Sequence, residues 1–365
     1  MPNTIAITGG GTGGHVFPAL AIAQELKQRG FSVLYIGSPN GMEAKLVPQK
    51  GLPFFTVTSG AVKNQSPLKI LSTIGKLFLG ILQAWKILGK EKPRAVIGVG
   101  GYVSVPVCLA TVLRRIPLFL QEQNASVGIA NKVLAPFSRN IFLGFDKAKE
   151  ELPKNKCVLT GNPLRKEISH PDFPAHDPSA HRLLIMGGSQ GAHAINQVIC
   201  ECLPEIARAF PGLSILHQTG AKDLNEVSAS YAKNYPGKFE VVPFIQDMAT
   251  AYSQPSLIIA RSGALTVSEL IAVGRPALFI PFPRKGKNDQ TTNAYLLESH
   301  GAAKVVEQGS QFRERFWSAF QSVFSPPTLS KMAASYSGLR TPGALVSIGD
   351  LIEAALGAQV VQENQ

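Results

Sequence analysis

The chain has few cysteines, and nothing at its N-terminus is typical of a secretory signal. None of the cysteine spacings matches a zinc site, so we expect reduced, buried thiols in preference to a metal site or a disulfide. The first residues lack a basic segment followed by an apolar one, and the expected location is therefore cytoplasmic. The cysteines are Cys108, Cys157, Cys200 and Cys202.

Acidic residues are scarce in the first half of the chain. Residues 1–165 contain 20 Lys and Arg but 7 Asp and Glu, a net charge of +13, whereas the remaining residues have a net charge of −1. Nucleic acid, an anionic membrane or an anionic substrate would each match this excess of positive charge. The basic segments lack interleaved aromatic side chains for base stacking, which disfavours nucleic acid as a partner.

Glycine, in contrast, is concentrated in two similar segments. Residues 9–15 read GGGTGGH, and residues 187–193 read GGSQGAH. Each segment follows a short apolar run and precedes a helical pattern. A strand, a glycine turn and a helix form a corner that binds anions, because the backbone comes close and the helix N-terminus presents free N–H groups. Two such corners predict two α/β domains that face one ligand cleft.

Apolar runs alternate with helical patterns through both halves of the chain. This alternation predicts an α/β fold with two doubly wound parallel sheets. We expect an N-terminal domain over residues 1–164 and a C-terminal domain over residues 165–341, with a last helix at about 344–357 packing on either domain. The predicted strands are 4–8, 32–36, 95–99, 117–120 and 140–143, and then 182–186, 213–217, 239–242, 256–260 and 277–280.

The segment 68–90 predicts an amphipathic helix. Ile74, Phe78 and Trp85 share one side of it, and Lys69 and Lys76 lie on the other side. Two interpretations stay open. The helix either packs in the core, or it lies in a membrane interface with its aromatic residues inserted and its lysines on anionic headgroups.

The first glycine segment formally matches the dinucleotide fingerprint, as Gly9-x-Gly11-x-x-Gly14. A NAD site also needs an acidic residue at the end of the second strand, to hold the ribose. Here that strand runs into Gly37-Ser38-Pro39, which contains no acid. The corner therefore predicts an anion or glycan site and not a NAD site.

The segment 261–269, RSGALTVSE, predicts a second ligand site. It follows the strand 256–260, so the N-terminal amides of the next helix point out of the carboxyl edge of the sheet, where a pyrophosphate can bind. Glu269 lies two turns into the helix and can accept hydrogen bonds from both hydroxyls of a ribose. The alternative is an ordinary capping pair between Thr266 and Glu269.

Six motifs occur together in one order along about residues 4 to 305. Together they closely resemble the family of peptidoglycan N-acetylglucosaminyltransferases that convert lipid I to lipid II. The motifs are GGTGGH at 10–15, GGYVS at 100–104, EQN at 122–124, GNPLR at 161–165, GGSQG at 187–191 and RSGALTVSE at 261–269.

The resemblance implies the GT-B fold, in which two Rossmann-like domains are separated by a deep cleft. It implies UDP-N-acetylglucosamine as donor and undecaprenyl-diphosphate-MurNAc-pentapeptide as acceptor. The enzyme would invert the sugar configuration, attach GlcNAc to the C4 hydroxyl of MurNAc, and act at the cytoplasmic face of the cell membrane as a peripheral protein.

The resemblance also implies roles for individual residues. Arg165 and Ser189 would contact the donor, with the backbone of Ile245 near the uracil. Asp289 or Gln290 would read the sugar hydroxyls, and the unusually basic stretch before them leaves that choice open. The diphosphate and ribose would be held by Ala264, Leu265, Thr266, Val267, Ser268 and Glu269. The residues expected to close over the GlcNAc are Thr12, Gly13, Gly14 and Asn124.

The transfer needs a general base for the acceptor hydroxyl. His15 is the first candidate and Glu122 the second, although His15 could instead fix the glycine loop. Tyr102 is expected to position the acceptor. The chain contains no Asp-x-Asp motif, so we expect neither a metal bridging the diphosphate nor any other cofactor. Another lipid acceptor, sugar-nucleotide epimerisation, or a non-catalytic UDP-sugar-binding membrane adaptor are the alternative functions.

Overall fold

The computed structural model describes residues 3–60, 67–168, 173–188, 190–284, 289–341 and 343–362. The chain divides into two compact units. The first unit consists of Met1–Leu164 together with Thr341–Gln365, and the second consists of Arg165–Arg340. Each unit contains one parallel sheet with helices packed against it.

Strands and helices alternate along most of the chain. The strands are β1 Thr4–Thr8, β2 Ser32–Gly37, β3 Phe54–Thr56, β4 Ala95–Gly98, β5 Leu118–Glu122, β6 Asn140–Leu143, β7 Cys157–Leu159, β8 Arg182–Met186, β9 Ser214–Gln218, β10 Phe239–Val242, β11 Leu257–Ala260, β12 Ala277–Phe279 and β13 Ala303–Val305. The helices are α1 Gly13–Gln28, α2 Met42–Gln49, α3 Pro67–Glu91, α4 Ser104–Leu113, α5 Ile129–Leu134, α6 His193–Ala209, α7 Leu224–Asn234, α8 Met248–Ser253, α9 Ala264–Val273, α10 Asp289–Ser299, α11 Phe312–Val323, α12 Pro326–Ala334 and α13 Ala344–Gln362.

Both sheets have the doubly wound topology that the sequence predicts. The first sheet has the order β3-β2-β1-β4-β5-β6-β7, and the second has the order β10-β9-β8-β11-β12-β13. The strand order reverses between β1 and β4 in the first sheet, and between β8 and β11 in the second. Ligands of such folds bind at this reversal, outside the carboxyl ends of the strands. Each glycine segment follows the strand at which the order reverses.

The first sheet is buried on both faces. Successive residues of its central strand β1 point to opposite faces, so they pack in two different cores. Ile5 and Ile7 of β1 pack in one core with α1 and α13, whereas Ala6 packs in the other core with α3 and α4. Strands buried on both faces read as continuous apolar runs, which is why the sequence marks them clearly.

The last helix belongs to the first unit. Ile348 and Ile352 of α13 are buried against the same core as Ile5. Arg29 at the end of α1 holds the helix from outside, with its guanidinium 2.7 Å from Asp350 Oδ1 and 2.8 Å from Glu353 Oε2. The two carboxylates, together with Glu25, raise the pKa of Arg29 against the opposing effect of burial.

Helix α3 packs against the core through small side chains and Leu88, and it exposes several of its large apolar side chains. Thr73, Gly80 and Ala84 are buried, whereas Phe78 is 65% exposed and Trp85 is 38% exposed. The interpretation of Phe78 and Trp85 as part of a packed core face is therefore wrong. Gly80 allows this approach, since a side chain there would meet the carbonyl oxygen of Thr58 and the ring of Pro106. In the described part of the chain, no helix combines the length and apolarity needed to cross a bilayer.

Candidate functional site

In the first unit, the predicted site residues lie at the carboxyl ends of three neighbouring strands. Thr12, Gly13, Gly14 and His15 follow β1, Tyr102 follows β4, and Glu122 and Asn124 end or follow β5. The loops after β1 and β4 touch, because the N–H of Gly10 donates a hydrogen bond to the carbonyl of Gly100 at 3.3 Å. The fold therefore gathers residues that are more than 100 positions apart along one sheet edge.

Two buried side chains hold the first glycine loop from beneath. The hydroxyl of Tyr35 donates to the carbonyl of Gly9 at 2.8 Å. The Glu43 carboxylate accepts from the N–H of Gly11 at 3.0 Å, and from the N–H and hydroxyl of Ser38 at 3.0 and 2.6 Å. A carboxylate that accepts hydrogen bonds from several backbone donors fixes their orientation. The loop is thus held in one conformation before any ligand binds.

Glu43 and Tyr35 are functional candidates that the sequence analysis missed. The search for an acid stopped at Gly37-Ser38-Pro39, whereas the carboxylate that reaches this loop comes from α2. Glu43 is fully buried and bonded to the loop, so it does not offer its oxygens to a ribose. A signal existed, because a glutamate in the first turn of a helix that directly follows a strand and a turn can point at the sheet edge.

His15 lies in the first turn of α1 and faces the loop after β4. Its Nδ1 is 3.2 Å from the hydroxyl of Thr12, and its Nε2 lies against Gly100. Burial lowers the pKa of His15, while a hydrogen bond with the Gly10 backbone and the charge of Glu43 act in the opposite direction. The imidazole is therefore neutral at pH 7, which is the protonation state that a general base requires.

Glu122 is enclosed in hydrogen bonds. It is 1% exposed, and its carboxylate accepts from the N–H of Asn124 at 3.0 Å, the N–H of Gly128 at 3.0 Å and the side chain of Asn131 at 2.9 Å. Burial raises its pKa, and these hydrogen bonds counteract the rise. The arrangement orders the turn that presents Asn124. Tyr102, in contrast, is 50% exposed at the same edge of the sheet.

In the second unit, the second glycine corner has the predicted order of strand, loop and helix. β8 ends at Met186, and α6 begins at His193, whose ring is 2.9 Å from Asp223 Oδ2. Gln218 at the end of β9 connects two loops. Its side-chain oxygen accepts from the N–H of Gly187 at 3.1 Å, and its amide donates to the carbonyls of Gly188 and Pro243 at 3.0 and 3.1 Å. Ser189, a predicted donor contact, lies outside the described residues.

The N-terminus of α9 faces open space. Its N-cap, Gly263, is extended and supplies no side-chain cap, and a Cβ built on it would meet no atom within 4 Å. The first N–H groups of the helix, from Ala264 to Thr266, therefore remain available to an anion. The alternative capping pair between Thr266 and Glu269 is not observed, because the Glu269 carboxylate is engaged elsewhere.

Glu269 is half-buried on α9 and bonded to Tyr252 of α8. The phenol hydroxyl donates to Glu269 Oε2 at 2.8 Å. Burial raises the pKa of Glu269, while the Tyr252 bond and the positive charge of Arg165 counteract the rise. Arg165 itself is exposed at the start of this unit. The Glu269 carboxylate is thus influenced by one newly found residue, Tyr252, and by one predicted residue, Arg165.

The remaining donor candidates lie in the loops after β10 and β12. Ile245 follows β10 and has a buried side chain, beside Pro243, which Gln218 holds. The side-chain oxygen of Gln290 accepts from the N–H of Phe282 at 2.9 Å, and Asp289 Oδ2 is 3.7 Å from Arg284. Within the ranges that the structure describes, no three His, Cys, Asp or Glu side chains are grouped as metal ligands.

Comparisons with known proteins agree with this arrangement. The model of the glycosyltransferase family 28 N-terminal domain matches residues 5–143, and that of the C-terminal domain matches residues 182–340. A protein of Geotalea uraniireducens named UDP-N-acetylglucosamine–N-acetylmuramyl-(pentapeptide) pyrophosphoryl-undecaprenol N-acetylglucosamine transferase is 41% identical, over 83% of this chain and 85% of its own. A protein of the same name from Burkholderia thailandensis is 38% identical over 98% of both chains.

A solved structure extends the agreement to three dimensions. The crystal structure of Acinetobacter baumannii MurG is 33% identical, has a TM-score of 0.80, and covers 97% of this chain and 100% of its own. The sequence identity to these proteins extends over most of the chain. The same chain contains the two glycine corners, the uncapped N-terminus of α9 and the two doubly wound sheets. The chain therefore belongs to glycosyltransferase family 28, among the UDP-N-acetylglucosamine–N-acetylmuramyl-(pentapeptide) pyrophosphoryl-undecaprenol N-acetylglucosamine transferases.

Proposed function

We propose that this protein transfers N-acetylglucosamine from UDP-N-acetylglucosamine to the C4 hydroxyl of MurNAc in undecaprenyl-diphosphate-MurNAc-pentapeptide, and so forms lipid II. The observation that carries the proposal is the uncapped N-terminus of α9, which has open space at the Cβ position of Gly263 and is followed by Glu269 in the second turn of the helix. Such a site suits a nucleoside diphosphate, since the helix amides bind phosphate and the carboxylate accepts from ribose hydroxyls.

The UDP part of the donor would be held by the second unit. The amides of Ala264 to Thr266 bind the diphosphate, and Val267 and Ser268 continue the helix that aligns them. Glu269 binds the ribose, the backbone of Ile245 reads the uracil, and Gln290 reads the sugar. Arg165 and Ser189 complete the contacts to the donor. Because these groups are fixed before the reaction, they stabilise the negative charge that grows on the departing UDP.

His15 acts as the general base in this proposal. The C4 hydroxyl attacks the anomeric carbon while UDP leaves from the opposite face, which inverts the configuration. The hydroxyl proton passes to His15, whose neutral ring is oriented by Thr12. Gly13, Gly14 and Asn124 supply polar groups for the sugar, and Tyr102 contacts the acceptor. Glu122 acts through Asn124, because its own oxygens are enclosed in hydrogen bonds.

A turnover assay tests this function directly. Purified protein with UDP-N-acetylglucosamine and a lipid I analogue is expected to release UDP and form a disaccharide lipid. Diacylglycerol in place of lipid I is expected to give no more UDP than a reaction without acceptor. Donor binding without turnover would identify an adaptor, and equal turnover on diacylglycerol would identify a different acceptor; either result contradicts the proposal.

We infer in addition that the first unit binds an anionic membrane through α3. Among the described side chains of this helix, Ile74, Phe78, Leu79, Leu82 and Trp85 are exposed and apolar, and they are named here the α3 apolar face. Positive charge borders this face, as the Arg114 guanidinium lies 4.1 Å from the Trp85 ring centroid and donates to the Trp85 carbonyl. Exposed aromatic and aliphatic residues next to basic ones are typical of helices that lie in a membrane interface.

Replacing both Phe78 and Trp85 by serine is expected to reduce binding to anionic vesicles by about tenfold or more, since each loses apolar area that enters the bilayer. Sedimentation with phosphatidylglycerol vesicles measures this change. UDP affinity is expected to stay the same, because the donor residues lie in the other unit. Val346→Ser is the matched control, since Val346 is 52% exposed on α13 across the sheet from α3. If the double variant loses both vesicle binding and UDP binding, or if it keeps both, the inference is contradicted.

A further inference from the structure

Tyr252 connects α8 to the carboxylate that the proposed function assigns to the ribose. Its side chain is fully buried, and its hydroxyl donates to Glu269 Oε2 at 2.8 Å. Burial raises the pKa of Tyr252 well above its ordinary value, so the phenol stays protonated and remains a donor.

The backbone of Tyr252 is fixed on both sides. Asp247 caps α8 by accepting from the N–H of Thr250 at 3.0 Å. At the other end, the guanidinium of Arg275 donates to the carbonyl of Tyr252 at 2.9 Å and to the carbonyl of Ser253 at 2.8 Å. These bonds fix the backbone of Tyr252, and the complete burial of its side chain packs the phenol beside Glu269.

We propose that Tyr252 is a positioning residue for recognition of the ribose. Its hydroxyl holds one oxygen of the Glu269 carboxylate, so that the other oxygen is presented to the ribose hydroxyls in one orientation. This inference rests on the proposed function, which places the ribose at Glu269. It adds that selection of a ribonucleotide over a 2′-deoxyribonucleotide depends on a residue that does not touch the nucleotide.

The inference is tested with Tyr252→Phe, which removes the hydroxyl and keeps the ring. Calorimetric titration measures binding of UDP and of 2′-deoxy-UDP to each protein. We expect the Kd for UDP to rise about tenfold, because the carboxylate loses the charge-assisted hydrogen bond that orients it. The Kd for 2′-deoxy-UDP is expected to change less than threefold, so the preference for the ribonucleotide shrinks. In turnover, KM for the donor is expected to rise while kcat changes less than twofold.

Tyr336→Phe is the matched control. Tyr336 is as deeply buried in the same unit, and its hydroxyl has no hydrogen-bond partner among the described residues. This variant is expected to keep both affinities. If Tyr336→Phe changes the two Kd values as much as Tyr252→Phe does, the effect comes from the loss of any buried phenol hydroxyl, and the inference is wrong.

Glu269→Ala separates failure of this inference from failure of the proposed site. If Glu269→Ala abolishes the ribonucleotide preference and Tyr252→Phe retains it, Tyr252 has no positioning role and the proposed site stands. If Glu269→Ala retains the preference, the ribose does not bind at Glu269, and both proposals are wrong. Loss of the preference in both variants supports the inference.

Discussion

Replacing His15 by glutamine is expected to lower kcat by about 10²- to 10⁴-fold, which is the usual contribution of a general base. Glutamine can still hydrogen-bond to the Gly10 backbone, yet it cannot take a proton from the acceptor. KM for the donor is expected to change little, because the residues proposed to bind its UDP part lie in the second unit. Steady-state UDP release at saturating lipid I measures the effect.

The glutamine variant separates the two roles that the sequence leaves open for His15. If the ring only fixes the glycine loop, His15→Gln retains most of the activity, and the general-base role is wrong. His300→Ala is the control for loss of a histidine, since His300 is exposed at the end of α10 and its ring bonds to the carbonyl of Leu296. This control is expected to keep the activity of the unaltered protein.

The pH dependence gives a second test of the same base. Because burial lowers the pKa of His15 below 6.5, its ring is neutral from about pH 7 upward. Titration of His15 is expected to leave kcat/KM constant above neutral pH. It is expected to lower kcat/KM as the pH drops through the lowered pKa of His15, because the ring becomes protonated. The acid limb should be missing from His15→Gln. An unchanged acid limb in that variant would assign it to another group.

Replacing Arg275 by methionine is expected to destabilise the second unit by about 3 to 5 kcal/mol. Arg275 is 2% exposed, and its guanidinium donates to four backbone carbonyls. Three of these carbonyls, those of Tyr252, Ser253 and Val273, end helices α8 and α9, where the helix dipole is negative. Burial lowers the pKa of Arg275 to about 10, and the group remains charged at neutral pH.

The size of this effect follows from what the methionine leaves behind. An apolar side chain of similar length fills the volume, but the four carbonyls lose their donors. The carbonyls of the buried residues Tyr252 and Val273 cost about 1 to 3 kcal/mol each if left unpaired, and those of Ser253 and Pro174 cost less because these residues are less buried. Differential scanning calorimetry is expected to show a fall in Tm of about 10 °C. Arg208→Met is the control, because Arg208 is exposed on α6. A fall no larger than that of the control would contradict this account.

Much of the fold could be predicted from the sequence because its central strands are buried on both faces. Continuous apolar runs such as those of β1 and β8 mark strands of this kind. The strands that were not predicted, β3, β7 and β13, have three residues each and lie at or next to a sheet edge. Three residues are too few to show a period or a long apolar run.

The site was predictable where its chemistry depends on neighbours in sequence. Glycine loops and helix N-termini are local, so residues 9–15 and 261–269 could be proposed as site candidates from their spacing. Tyr252 and Arg275 could not, since they act on residues 17 and 23 positions away. Glu43 had a local signal, its place in the first turn of α2, which the search for an acid at the strand end did not use. Likewise, the period of α3 shows two faces, but only packing against Pro106 shows which face lies inward.

The carboxylate of Glu43 also limits which substitutions are tolerated at other positions of the chain. It occupies the space into which a methyl group would project from Gly10 and from Gly41. Alanine at either position would expel the carboxylate and release the amide of Gly11. Tolerance to substitution at Gly10 and Gly41 is therefore set by the residue at 43, and a shorter side chain there would relieve the steric conflict at both glycines together.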